Sequence, residues 1–251
     1  MPKKKYGLFI LELILAIIIT IICSLIGMSN LLWESNQLYP AATDAMGHMT
    51  KVVYMSEQIL QGHLPSWFPY WYNGATTTQY YVPLSYYLMI PIYWATNNIM
   101  LTFKIFSAGA IAIGGLGVWT FSYRKIGRWC GLIGILAFSL QPILLQSSYR
   151  EGVIAQGPIY AIMPWLLLVV LSLAKKPTKA KYIGTTLLTT LMILSHAMHA
   201  FMVCLTIIFA LLFFVLLKKV RIRDFLLAMS CIAFSGIVTA FWSLVGATQL
   251  E

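Results

Sequence analysis

The chain has 251 residues, 60% hydrophobic and only 10% charged, with a formal charge of +10 and a mean hydropathy of +0.81. A soluble domain carries about a quarter charged residues, so composition excludes that class and points to an integral membrane protein. The positive charge is no nucleic-acid signature: of the 17 Lys and Arg, three, three, four and four fall in clusters at Lys3–Lys5, Arg124–Arg128, Lys175–Lys181 and Lys218–Arg223, between apolar runs, as cytoplasmic loops require. No nucleic-acid partner is expected.

In chain order, the first span is Leu8–Met28. It follows Lys3–Lys5 as a signal peptide would, but the apolar run is too long and no small-residue cleavage site follows, so it is expected to stay as an anchor. Placing every basic cluster inside puts residues 29–99 outside. Within this loop Ala41–Gln61 reads as a helix, with Thr43 or Asp44 as cap and Gly62 and Pro65 after its end. Asp44, His48 and Lys51 share one face; Met46, Met49, Val53 and Leu60 lie on another, suited to the membrane surface.

Trp67, Phe68, Tyr70, Trp71, Tyr72, Tyr80, Tyr81, Tyr86 and Tyr87 crowd the rest of the loop. An aromatic belt explains most of them, and Trp67 and Tyr81 are candidates to line a substrate. Leu84–Thr96 is too short to span, with Pro91 inside it, and reads as a re-entrant or interfacial outer helix.

The remaining spans occupy residues 100–246. They are expected at Met100–Ser122, Trp129–Leu145, Pro158–Ala174, two within Ile183–Leu217 that break near Ser195–His199, and Phe225–Gly246. The expected architecture is a single membrane domain over residues 1–251. It is all-α and polytopic, with about seven transmembrane helices and outer-face helices, N-terminus cytoplasmic and C-terminus outside, in the plasma membrane. Glu12 is expected to snorkel or pair with a lysine, and Lys104 to pack near the outer start of its span. Cys23, Cys130, Cys204 and Cys231 read as small buried hydrophobes without a disulfide framework.

Asp44, His48, His63, Arg150, Glu151, His196 and His199 all fall at or near the outer face, although none was used to set the topology. Asp44 has two readings, a helix cap or a carboxylate that acts as base. Arg150 is either half of an exposed ion pair with Glu151 or a phosphate ligand. His196 and His199, where two short spans meet, are either a hydrogen-bonded turn or a functional pair. A divalent cation is the one cofactor that Asp44, His48 and the two histidines suggest, and no ligand spacing marks it.

Several motifs, in their order, resemble the GT-C superfamily of polytopic glycosyltransferases. They are an outer loop with Asp44 and His48, then Gly62-His63-Leu64-Pro65-Ser66-Trp67, then Tyr81-Val82-Pro83-Leu84-Ser85-Tyr86. Arg150-Glu151-Gly152, Ser195-His196 and Ala240-Phe241-Trp242-Ser243-Leu244-Val245 make the chain most similar to bacterial YfhO-like and 6-pyruvoyl-tetrahydropterin synthase-related membrane proteins. Val245 stands where those have proline. The resemblance implies a polyprenyl-phosphate-linked sugar as donor at the outer leaflet, with Asp44 and His48 catalytic and Arg150, His196 and His199 holding the donor phosphate. Such proteins are longer, so the chain is expected to be a front half or to work with a partner subunit. The alternatives are a non-catalytic GT-C-like scaffold or lipid-binding protein, and a small transporter. The transporter lacks an ionisable relay at mid-span or an apparent inverted repeat.

Overall fold

A computed structural model describes residues 3–33, 43–71, 73–77 and 83–242, with the side chains of residues 3–6, 30–31 and 148–150 outside that description. The regular elements of the described residues are helices, apart from one short hairpin. Helix α1 (Lys3–Gly27) is followed by a short α2 (Ser29–Trp33) and by α3 (Ala45–Leu60). Strands β1 (Trp67–Phe68) and β2 (Ala75–Thr76) pair antiparallel, Trp67 opposite Thr76. The hairpin turns at Asn73-Gly74, both at positive φ (64° and 111°), a conformation Gly adopts freely and Asn tolerates. A Cβ on Gly74 would also lie 2.2 Å from the Trp67 ring.

Next come α4 (Pro83–Thr96), α5 (Ile99–Lys125), α6 (Arg128–Ser139) and α7 (Pro142–Leu145). A π-helical turn (Gln146–Glu151) and a 3-10 turn (Ile154–Gln156) lead into α8 (Gly157–Lys175), α9 (Lys179–Ile193), α10 (Ala197–Leu216) and α11 (Ile222–Val238).

Among the described residues, five helices are long and apolar enough to cross a membrane: Gly7–Gly27, Ile99–Lys125, Ile154–Lys175, Ala197–Leu216 and Ile222–Trp242. Two expected spans fall short of that length. Pro142 has no N–H to continue a helix, so Trp129–Leu145 splits into the 12-residue α6 and the 4-residue α7. Helix α9 has 15 residues, about 22 Å at 1.5 Å per residue against a hydrocarbon core of about 30 Å. Helix α4, with 14 residues, is shorter still. The expected break near Ser195–His199 lies between Ile193 and Ala197.

Helix α5 is the centre, packed on α1, α6 and α8. Leu11, Ile14, Ile18, Ile22 and Leu25 of α1 are exposed, the expected state of a lipid-facing helix. The buried hydroxyl of Thr20 donates to the Ala16 carbonyl at 2.6 Å, a local partner of the kind that lipid requires. One core cluster joins α3, α4 and α5 through Met49, Met55, Tyr86, Met89 and Phe103. Another joins α8 to α11 through Leu166, Leu173, Met192, Leu211 and Cys231.

The basic clusters gather at one end. Arg128 Nε lies 2.6 Å from Glu12 Oε1, and Lys125 Nζ donates to Ser172 Oγ at 3.3 Å. Lys181 Nζ donates to the carbonyls of Ser172 and Lys176 at 2.9 and 2.6 Å. The opposite end carries α3, the hairpin, α4 and the His196 turn, joined by Thr43 to Glu151 and by the Leu84 N–H to the Leu194 carbonyl (3.0 Å).

Three expectations are corrected. Glu12 pairs with an arginine, and accepts from Tyr123 Oη at 2.9 Å, because α1 runs beside the α5–α6 junction. Met49 is fully buried because α4 covers α3 on that side, leaving Met46 and Leu60 exposed. Cys130 is an exposed thiol, while Cys23, Cys204 and Cys231 are buried, all four free.

Candidate functional site

The site is built from the N-terminus of α3 outward. Asp44 occupies the cap position, but with φ −104° and ψ −15° and no side-chain cap bond. A capping side chain needs β-region backbone, and here the backbone is committed elsewhere. The Asp44 N–H donates to the Glu151 carbonyl at 3.0 Å, and Thr43 Oγ1 donates to the same oxygen at 3.0 Å. The expected cap is therefore absent, and the Asp44 carboxylate is exposed. Helix α3 begins docked on the π-helical turn that contains Arg150. The Arg150 side chain lies outside the described residues, while the Glu151 carboxylate accepts from Gln146 Nε2 at 3.0 Å.

One turn along α3 the polarity turns inward. His48 is buried, with Nδ1 2.8 Å from Tyr86 Oη on α4. Burial, and then the neighbouring charge of Lys51, push its pKa down to about 4, so near neutral pH the imidazole is uncharged. Lys51 is also buried, its Nζ 4.3 Å from the Trp71 ring centroid, 5.7 Å from Phe68 and 5.8 Å from Tyr86. It donates to the Thr77 carbonyl at 3.4 Å, and burial lowers its pKa to about 8. A cation enclosed by aromatic faces and bonded to a strand-end carbonyl ties the hairpin to α3.

The aromatic loop thus divides. Trp67 and Tyr70 are half or more exposed, as a belt or a substrate wall would be, while Phe68 and Tyr86 are core residues. Tyr81 lies outside the described residues. His63 is exposed beyond the end of α3.

His196 caps α10, its side chain accepting from the His199 N–H at 3.4 Å, and the two Nδ1 atoms are 3.1 Å apart. Burial, and the charge His199 carries when protonated, hold the His196 pKa below its usual value. The pair is linked to α3, among the described residues, through α4, by the bond from the Leu84 N–H to the Leu194 carbonyl. Among the described residues, no hydrogen bond or ion pair joins either histidine to Asp44, and no group of three or more His, Cys, Asp or Glu side chains is placed to hold a metal.

Sequence reasoning named Lys51 but gave it no role, and placed Tyr86 in the belt. A lone lysine on one helix face, facing a loop dense in aromatic residues, is the signal that could have found the cage. The docking of Thr43 and Asp44 on Glu151 ends on a backbone carbonyl, which leaves no such trace.

The family model for the 6-pyruvoyl-tetrahydropterin synthase related domain, described as a membrane protein, matches residues 78–249. The chain belongs to this family. None of the curated proteins matches it. The stretch shared with the 6-pyruvoyl-tetrahydropterin synthase related family contains Tyr81, Arg150, His196 and His199. Asp44, His48, Lys51 and Trp67 precede it, so the family match and the α3 half of the candidate site are separate lines of argument.

Proposed function

We propose that this membrane protein is a sugar transferase of the GT-C kind, acting at the outer leaflet of the plasma membrane on a polyprenyl-phosphate-linked sugar. The basic end would face the cytoplasm, and α3, α4 and the His196 turn would face out. The observation that carries the reading is the N-terminus of α3: an exposed Asp44 carboxylate, unused as a cap, docked through its backbone one residue from Arg150. In the proposed step the acceptor hydroxyl oxygen attacks the anomeric carbon and its proton passes to Asp44. The bond from that carbon to the phosphate oxygen breaks, and polyprenyl phosphate leaves with the electron pair. Arg150 would offset the charge on the departing phosphate, with the N-terminus of α10 and its histidine pair as a second anion-favouring element. His48 would be a positioning residue, holding Tyr86 and with it α4 against α3.

The non-catalytic reading, a lipid-binding or scaffold protein, draws on a different observation. His48 and Lys51, two of the three ionisable groups on the same side of α3, are enclosed by Tyr86 and the hairpin. The two readings separate in one assay: protein in proteoliposomes with a panel of polyprenyl-phosphate hexoses as donors and a panel of hydroxyl-bearing acceptors, measuring release of polyprenyl phosphate. Asp44→Asn should slow release at least about a hundredfold, the range of a lost general base, with expression unchanged. Undiminished release by that variant ends the Asp44 role. Binding of polyprenyl phosphate without turnover by the unaltered protein would favour the scaffold.

A further inference from the structure

Three helices end around one cavity at the basic end. Lys125 closes α5, Lys175 closes α8, and Lys219 lies in the turn after α10. With Phe121, Leu171 and Phe214 they line a cavity of about 460 Å³, within the size range of small-molecule sites. Among the described residues its lining includes no carboxylate. Glu12 and Asp224 are engaged in ion pairs of their own, Glu12 with Arg128 and Asp224 with Arg221 at 2.7 Å.

Two ordinary uses of a basic cluster are met by other residues. Lys181 satisfies carbonyls at the C-terminal end of α8, those of Ser172 and Lys176, so Lys175 is not needed for that. The charge asymmetry that sets topology is carried by eleven Lys and Arg over three turns, of which only three face this cavity. Three ammonium groups joined to aromatic and aliphatic walls form a surface that matches a phosphate attached to an acyl-bearing glycerol.

We propose that this cavity binds the phosphate headgroup of an anionic phospholipid from the leaflet on the basic side. The inference does not depend on the transferase reading.

The test uses the full chain in nanodiscs of phosphatidylcholine, with or without added phosphatidylglycerol, and native mass spectrometry to follow retained lipid. The unaltered protein should retain phosphatidylglycerol selectively. Replacing Lys125, Lys175 and Lys219 by Gln should weaken retention about fivefold per lysine and about a hundredfold together. A triple with the same net charge, Arg124→Gln, Lys179→Gln and Arg223→Gln, should retain the lipid. Equal losses in the two triples would make the effect one of surface potential and overturn the site. Equal retention of phosphatidylcholine would overturn it too. Thermal stabilisation in detergent by inorganic phosphate alone, with nothing gained from phosphatidylglycerol, would assign the cavity to a soluble anion instead. Should the cavity triple fail to fold, acetylation footprinting of the unaltered protein decides. Phosphatidylglycerol should protect Lys125, Lys175 and Lys219 but not Lys179, and equal labelling in both lipids refutes the proposal.

Discussion

At the scale of residues, α3 and the hairpin that follows it are organised around a buried lysine. Lys51 has a folded pKa of about 8 against an ordinary 10.5, the result of burial. Between those values the unfolded chain binds a proton that the folded chain does not, so stability rises with pH across that window. His48, lowered by burial to about 4 from 6.5, behaves in the same sense: stability is lost as pH falls from about 6.5 toward 4 and is level below that. Replacing Lys51 by Met removes the group that titrates, although it also removes the bond to Thr77. The expected result is a thermal midpoint that climbs between about pH 8 and 10.5 in the unaltered protein, and by a smaller amount in Lys51→Met. Only the difference between the two curves is diagnostic, because every other group is common to both proteins. Parallel curves would mean that the cage is not closed in solution. The sequence displays Lys51 and its aromatic neighbours but not their encounter, which needs a hairpin folding back across α3.

At the scale of elements, α5 shows why some packing was legible and some was not. Its apolar run and its terminal Arg124 and Lys125 can be read from the sequence; its N-cap came with the structure, where the Asn98 side chain accepts from the Leu101 N–H at 2.8 Å. What the sequence does not assign is the partner of each side of α5. Gly114 faces both α8 and α6: a Cβ there would lie 2.4 Å from the Tyr160 carbonyl oxygen on α8 and 2.7 Å from the Phe138 ring on α6. Backbone cannot yield as a flexible side chain would, so α5 and α8 must separate or shift. Gly114→Ala is therefore expected to cost about 1–3 kcal/mol, the usual penalty for overpacking. Gly109→Ala on the same helix meets nothing within 4 Å, and should leave stability unchanged or slightly raised. Detergent unfolding of the two variants side by side checks this, and equal stability would show that α5 and α8 are further apart than described. The splitting of the expected third span was written in Gln141-Pro142. A window of average hydropathy passes over such a break because it weighs composition and ignores the missing N–H.

At the scale of the whole molecule, charge placement carries more of the architecture than any motif does. The sequence places the basic turns on one side, and contacts among Glu12, Arg128, Lys125, Ser172 and Lys181, with Lys219 in the cavity beside Lys125, bring them to one end of the bundle. The other end collects Asp44, Glu151, His196 and His199, residues that played no part in that assignment. The candidate site was therefore legible as a sidedness, while the pairing of Asp44 with the Glu151 turn awaited the fold. The proposed orientation follows: α3 outside, the α8–α9 turn inside. Glu57 is exposed on α3 and Lys179 is exposed at the start of α9, so both positions accept a cysteine without touching the core. In a Cys130→Ser background, which removes the one exposed native thiol, Glu57→Cys should react with a membrane-impermeant maleimide on intact cells. Lys179→Cys should react only after permeabilisation. Reaction of Lys179→Cys alone on intact cells would invert the molecule and remove the outer-leaflet reading. Reaction of both would mean that α4 or the α6–α7 segment changes the number of crossings between them, since these are the short helical segments that separate the two positions. The outcome thus tests whether helices shorter than the hydrocarbon thickness complete a crossing, which length and composition leave open.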